Sequence, residues 1–453
     1  MTEQLESQIG LWRTHMEKRA TVESAEVDEL EDHLRGHIES LTASGLSEDE
    51  AFLVAMKRLG SQNEIAREFA RENSQRLWKQ LVLDDAPAGP REPGDRSGWI
   101  PMLVFASIAI AIVKLPLLFG YDIGDEDSIG FYARNVSLLG LAGVAAYLLW
   151  RHRASVRYVV AVGVAYVGLA VAANIYALSE EGDALPVTAL HVPIVMWLVV
   201  GLAYATFRWR QTEGRMNYLR FTGEWLIYMV LIATAAMLLV GIVAIVLAIV
   251  GIDSEVLLTG WLIPGGAAAA AVVATWLVEA KKSVIENMAP VLARIFTPLF
   301  TAAFLTLFVV VLVSGDLANL NRDLLIACDA ILVIAVALVL YNLTARGKSE
   351  RAGWFDWMQL TLVASALALD AIALVNILMR ISEGWTFNRT VVLGANLILI
   401  FNLAITAWLF VKLLRGRPGA VAGLERWQTA LLPIYGVWAL VVIVVLPPVF
   451  GLT

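Results

Sequence analysis

The chain changes character at about residue 98. Up to that point it is charged and patterned for helices; from Trp99 almost to the C-terminus it is a succession of apolar runs, such as those at 229–252 and 304–313. Soluble domains carry roughly 45–50% apolar and about 25% charged residues. Here 58% of the residues are hydrophobic and 17% charged, and the apolar excess lies after Gly98. Too little polar surface remains there to cover a water-soluble fold, so the sequence predicts an all-α, polytopic membrane helix bundle with a small N-terminal cytosolic helical domain.

At 1.5 Å per residue, a helix needs about 20 residues to cross a hydrocarbon core of about 30 Å. Eleven stretches reach that scale, at about 99–120, 132–150, 158–178, 190–207, 225–252, 261–280, 295–314, 324–344, 358–379, 390–411 and 427–449. The fifth is longer than a crossing requires and should tilt or extend beyond the hydrocarbon. One set of alternate loops holds 17 Lys and Arg residues, Arg151, Arg208, Lys281, Lys348 and Arg415 among them, whereas the other set holds only Arg134, Arg322, Arg380 and Arg389. By the positive-inside rule the N-terminus is cytoplasmic and Thr453 extracytoplasmic, in a bacterial cytoplasmic (inner) membrane. The acidic N-terminus, with Glu3, Glu6 and Glu17 and no short apolar core, does not read as a signal peptide, which agrees with that orientation.

Trp99, Trp209, Trp261, Trp354, Trp357, Trp385 and Trp427 fall near span ends, where they are expected to anchor helices at the interface. The small residues from Gly265 to Ala271 are expected to let a neighbouring helix approach closely.

In the prefix, Leu5, Ile9, Trp12 and Met16 make one apolar stripe at helical spacing, and Val27, Leu30, Leu34, Ile38 and Leu41 make another over residues 24–43. Gly45 supplies a stop. Ser47 with Glu50, and Ser61 with Glu64, have the spacing of capping boxes, so helices should begin at both serines, with Gly60 between them. The fourth helix would carry Ile65 and Phe69 and run to about Leu83.

The Gly45-Leu46-Ser47 start running into Glu50-Ala51, and the Leu59-Gly60-Ser61 junction running into Glu64-Ile65-Ala66, resemble the bacterial permease prefix domain over about the first 75 residues. That domain is also described as an α-helical signalling domain associated with helix-turn-helix regulators. The resemblance implies a prefix ahead of a diverse membrane segment and a PadR-type transcription regulator as a partner. It supplies no catalytic residues. The domains expected are thus 1–83, a cytosolic helical prefix; 84–98, a Pro/Gly-rich linker that acts as a semi-rigid spacer; and 99–453, the transmembrane domain.

Residues with chemical potential are few. His33 and His37 lie four apart, with Glu29 one turn earlier, but no third firm metal ligand is identifiable, and a solvated helix face explains them as well. Lys114, Asp329 and Asp370 are ionisable and lie well inside predicted spans, at similar depth in the outer half. A charge at mid-membrane costs roughly 2.5–3.5 kcal/mol on insertion scales, so these three are expected either to cluster or to find separate solutions, with Lys114 snorkelling outward. Asn174, Asn376, Asn396 and Asn402 are expected to bond between helices. The segment 382–389 is compact, aromatic and mixed in charge; a structured turn is expected, with a ligand-sensing loop as the alternative.

The single cysteine, Cys328, leaves no intrachain disulfide and no cysteine-rich metal site. There is no Walker phosphate loop, Gly-x-Ser-x-Gly elbow or His-Glu-x-x-His. The net charge of -7 comes with no basic stripe for nucleic acid. Three readings of function follow. The first is a membrane-embedded sensor or regulatory protein that passes an envelope or lipid signal through its prefix. The second is a permease, or a subunit of one, with a polar path near Lys114, Asp329 and Asp370. The third is an intramembrane enzyme built from scattered polar residues, against which the missing motifs weigh. The partners expected are the lipid bilayer, a cytosolic protein on residues 1–83 and a second copy of the chain; no cofactor is called for.

Overall fold

The computed structural model describes residues 5, 6, 8–10, 13, 24–59, 98–123, 125–179, 182–250, 256–280, 288–313, 322–346, 352–382 and 384–452. The chain divides into two compact units, Met1–Asp95 and Arg96–Thr453. The cap at Ser61, the fourth prefix helix and most of the linker lie outside the described residues.

In the prefix, α1 (Ser24–Ala43) and α2 (Glu48–Leu59) form a hairpin. Gly45 takes φ +96° at the turn, a region L side chains avoid, and the Leu46 N–H returns to the Leu41 carbonyl at 3.3 Å. The capping box at Ser47 is formed: the Ser47 N–H donates to the Glu50 carboxylate at 3.0 Å and the Glu50 N–H to the Ser47 hydroxyl at 3.4 Å. The Ser47 hydroxyl also donates to the Glu50 carboxylate at 2.8 Å, and this bond, with that from the Ser47 N–H, holds the Glu50 carboxyl below its ordinary value. Leu5, Ile9, Leu34, Ile38, Ala51, Phe52 and Ala55 are buried together as a small core. Around it Arg35 grips Glu6 through two bonds of 2.7 and 2.8 Å and Glu31 at 2.9 Å, while Arg13 reaches Glu31 at 2.6 Å. The core is thin, and these charge-assisted bonds supplement it.

The second unit is a helix bundle with no strand among the described residues. Its helices are α3 (Trp99–Lys114), α4 (Ile129–Arg151), α5 (Val156–Asn174), α6 (Ala184–Ala205), α7 (Thr212–Val250), α8 (Ile263–Ala280), α9 (Met288–Val313), α10 (Arg322–Ala345), α11 (Trp354–Ser382), α12 (Phe387–Leu414) and α13 (Ala420–Leu440). Each coincides with one expected span. Among the described residues, nine helices are long and apolar enough to cross a membrane, and α9 and α10 contain the shorter apolar stretches Ile295–Val310 and Cys328–Thr344. Large apolar side chains such as Leu118, Val164, Leu190 and Ile249 face outward, an arrangement that suits lipid as solvent and not water. The protein is therefore a multi-pass membrane protein.

Several helices outrun the apolar stretch that predicts them. The helix α7 has 39 residues, about 58 Å at 1.5 Å per residue, and begins well ahead of residue 225. Its early turns continue because Tyr218 and Phe221 are buried in the core of neighbouring helices. The helix α3 passes into a tighter turn, Leu115–Phe119, where Pro116 removes a donor, and Gly120 at φ +87° ends it.

The bundle has two cores. One joins α3, α4, α5, α6, α8 and the start of α7 through Ala109, Tyr147, Leu148, Met196, Val200 and Val272. The other joins α9 to α13 through Leu332, Ala335, Leu362, Ala366, Leu403 and Phe410. The last helix ties them together, contributing Leu424 to the second core and, with the continuation that follows it, Ala439 and Ile443 to the first. Close approach in the first core depends on Gly143, where an added Cβ would stand 2.6 Å from the Ala109 Cβ. Gly265 on α8 packs against Ile110, the helix contact expected of that small-residue stretch.

Candidate functional site

Helical periodicity puts two polar side chains, Asp370 and Asn396, inside the second core, with the half-buried Asp329 beside them. Asp370 shares a face of α11 with Ala366, Leu369, Ala373 and Ile377, all buried. Asn396 lies one turn before Leu399 and two before Leu403 on α12, again on the buried face. Asp329 follows the buried Cys328 on α10, one turn before Leu332.

Asp370 and Asn396 are both 0% exposed. Neither oxygen of Asp370, neither polar atom of Asn396, nor Oδ1 of Asp329 has a hydrogen-bond partner among the described residues. Asp329 faces the Asn396 carboxamide without a bond of ordinary geometry, and its carboxylate acts electrostatically on Asp370. Among the described residues neither acid forms an ion pair. The result is two carboxyls and a carboxamide from three helices, brought together in an apolar interior with unused bonding capacity.

Lys114 is placed elsewhere. Its ammonium lies 4.5 Å from the centroid of the Trp261 ring, with Asp122 as its acidic neighbour, at the end of α3 in the first core's half of the bundle. The three residues expected to cluster are thus two together and one apart. Their depths along the spans are compatible, but among the described residues α3 packs mainly on α4 and α8 and makes no comparable contact with α10 or α11. His33 and His37 lie on an exposed face of α1, and no group of three or more His, Cys, Asp or Glu side chains suited to a metal ion occurs among the described residues.

A second polar group on α12 and α13 is richly bonded. Asn402 donates to the Tyr435 hydroxyl at 2.7 Å and accepts from Gln428 Nε2 at 3.0 Å and Trp427 Nε1 at 3.0 Å. Gln428 Nε2 also donates to Thr406 Oγ1 at 2.6 Å. Trp427, expected as an interfacial anchor, is half-buried and donates inward, and Trp209 is likewise packed against the first core, whereas Trp99, Trp261, Trp354, Trp357 and Trp385 are exposed as anchors should be. Gln428, Thr406 and Tyr435 were not singled out by sequence reasoning. A polar residue inside an apolar run was the available signal.

In the first half, Asn174 and Asn135 exchange two hydrogen bonds, of 2.8 and 2.9 Å, between α5 and α4. His152 bridges the Tyr204 carbonyl at 2.7 Å and the Glu279 carboxylate at 3.3 Å, joining the ends of α4, α6 and α8. Asn376 turns back to the Ile372 carbonyl of its own helix. In the expected turn segment, among its described residues 382 and 384–389, Arg389 donates to the carbonyls of Arg380 and Gly384, and Thr386 caps α12.

No known family model, curated protein or solved structure matches the chain.

Proposed function

We propose that this chain is a membrane-embedded regulatory protein of a bacterial cytoplasmic membrane, which passes a state of its membrane domain to a cytosolic partner through the helical prefix. The observation that carries this reading is the prefix itself: a compact unit with its own core and a charged exterior, joined to the membrane domain through a Pro/Gly-rich segment. Its Gly-Leu-Ser and Leu-Gly-Ser sequence motifs resemble those of a signalling prefix, and a PadR-type transcription regulator is the partner this favours. The skew of basic residues supports a cytoplasmic N-terminus and an extracytoplasmic Thr453.

Crosslinked pull-down of the intact protein, compared with a form lacking residues 1–83, tests the reading. Capture of a transcription regulator that requires the prefix is the expected result; an identical set of partners for both forms would overturn it. Reporter fusions after Arg153, Lys282 and Thr453 test orientation, and a cytoplasmic Thr453 would overturn the topology. A second reading, a permease or a permease subunit, draws on one observation, the buried Asp370 carboxyl with no hydrogen-bond partner among the described residues. Intramembrane ionisable groups without structural partners commonly mark ion or substrate paths. Transport that needs Asp370 but not residues 1–83 would select it.

A further inference from the structure

We propose that Asp329, Asp370 and Asn396 form a binding site for a dehydrated hard monovalent cation, sodium being the form to test. The site is distinct from the prefix-based reading of function and stands whether that reading holds or fails.

Three features point to a cation. First, the side chains present oxygen ligands and no competing donor group except the Asn396 amide: two carboxyls and one carboxamide oxygen, on α10, α11 and α12. Such oxygens are the ligands of hard cations. Second, the capacity is unused. Buried polar atoms in folded proteins are almost always bonded, and leaving one unmet costs about 1–3 kcal/mol. Here, among the described residues, Asp370 Oδ1 and Oδ2, Asp329 Oδ1 and both polar atoms of Asn396 are unmet at once. Third, Asn396 is an uncharged group, 0% exposed and set against Asp329, so the cluster is more than two acids that happen to be neighbours. A carboxamide oxygen beside two carboxyls extends a coordination shell; as a mere core residue it would be expected to bond as Asn402 does six positions later.

The choice of a monovalent ion follows from ligand number and charge. Calcium takes six to eight oxygens and magnesium keeps several waters in a strict octahedron. The three side chains offer five oxygens between them, on helices that also contribute Leu332, Leu369 and Leu399 to the second core. Two like-charged carboxyls held close together do not both ionise readily. A pair that shares one proton carries one negative charge, which one monovalent cation neutralises.

Thermal unfolding of the purified full-length protein in detergent, in sodium chloride and in choline chloride of equal ionic strength, tests the site. A ligand that binds only the folded state raises Tm with its concentration. Sodium should raise Tm by several degrees over choline in the parent protein and in Asn135→Leu, which alters the other half of the bundle. The sodium-specific rise should vanish in Asp370→Asn and in Asn396→Leu, the second being informative if the first fails to fold. Equal Tm in both salts would overturn the proposal, as would a sodium effect that survives Asp370→Asn or Asn396→Leu. A rise with calcium chloride but none with sodium would overturn the monovalent assignment.

Discussion

Asn396 and Asn402 are the same residue type, on the same helix, six positions apart, and both are 0% exposed. Asn402 is bonded to Tyr435, Gln428 and Trp427; Asn396 has no hydrogen-bond partner of ordinary geometry among the described residues. The difference teaches that polarity inside this bundle serves two ends. Around Asn402 the facing helix α13 supplies complementary groups, and the polar atoms act as an adhesive between α12 and α13, much as the Asn135–Asn174 pair does between α4 and α5. Around Asn396 the facing helices supply acids, which cannot bond one another when ionised and which structural economy alone does not explain.

Removing the adhesive should have the largest effect. Asn402→Leu deletes one partner each from Tyr435, Gln428 and Trp427; at about 0.6 kcal/mol per intramembrane bond, with a ceiling near 1.7, the loss should be about 2 kcal/mol. Reversible unfolding in mixed micelles would measure it, and a loss well below 1 kcal/mol would break the distinction between the two asparagines. Asn135→Leu comes next, at about 1 kcal/mol, because it removes both bonds to Asn174, which keeps only its bond to the Ala170 carbonyl. A double-mutant cycle with Asn174→Leu isolates the pair, and a coupling indistinguishable from zero would remove it from the adhesive class.

A smaller effect is expected in the prefix, where acids are satisfied. Burial works to raise the Glu31 carboxyl, but hydrogen bonds from Arg35 and Arg13 outweigh it and hold the group below its ordinary value. A carboxyl lowered on folding contributes stability that is present above the unfolded value of about 4.3 and is lost as pH falls through the folded value. Circular dichroism of a fragment spanning residues 1–83 should therefore show helix loss beginning below about pH 4.3. Replacing Glu31 with Gln should flatten that part of the profile, whereas an unchanged profile would place the acid sensitivity elsewhere.

How much of this was legible in the sequence depends on dimensionality. Span length is a one-dimensional property, so all eleven helices could be read from apolar runs, and the Ser47 cap from a local motif. Helix ends were harder: α7 begins at Thr212 because Tyr218 and Phe221 pack against distant elements, which no local pattern records. Depth was legible for Lys114, Asp329 and Asp370, but lateral position was not, since it depends on which helix packs on which. Trp427 shows the same limit. Its place near a span end reads as an anchor, and only the facing Asn402 turns it into an inward donor.

The most direct measurement compares Asn396→Leu with Asn402→Leu by unfolding in sodium-free buffer. If Asn396 is held for a ligand and not for the fold, Asn396→Leu should leave stability unchanged to within about 0.5 kcal/mol or raise it, since an unmet buried amide is removed, while Asn402→Leu loses about 2 kcal/mol. Equal losses in the two variants would contradict the account, showing that Asn396 is bonded into the fold like its neighbour.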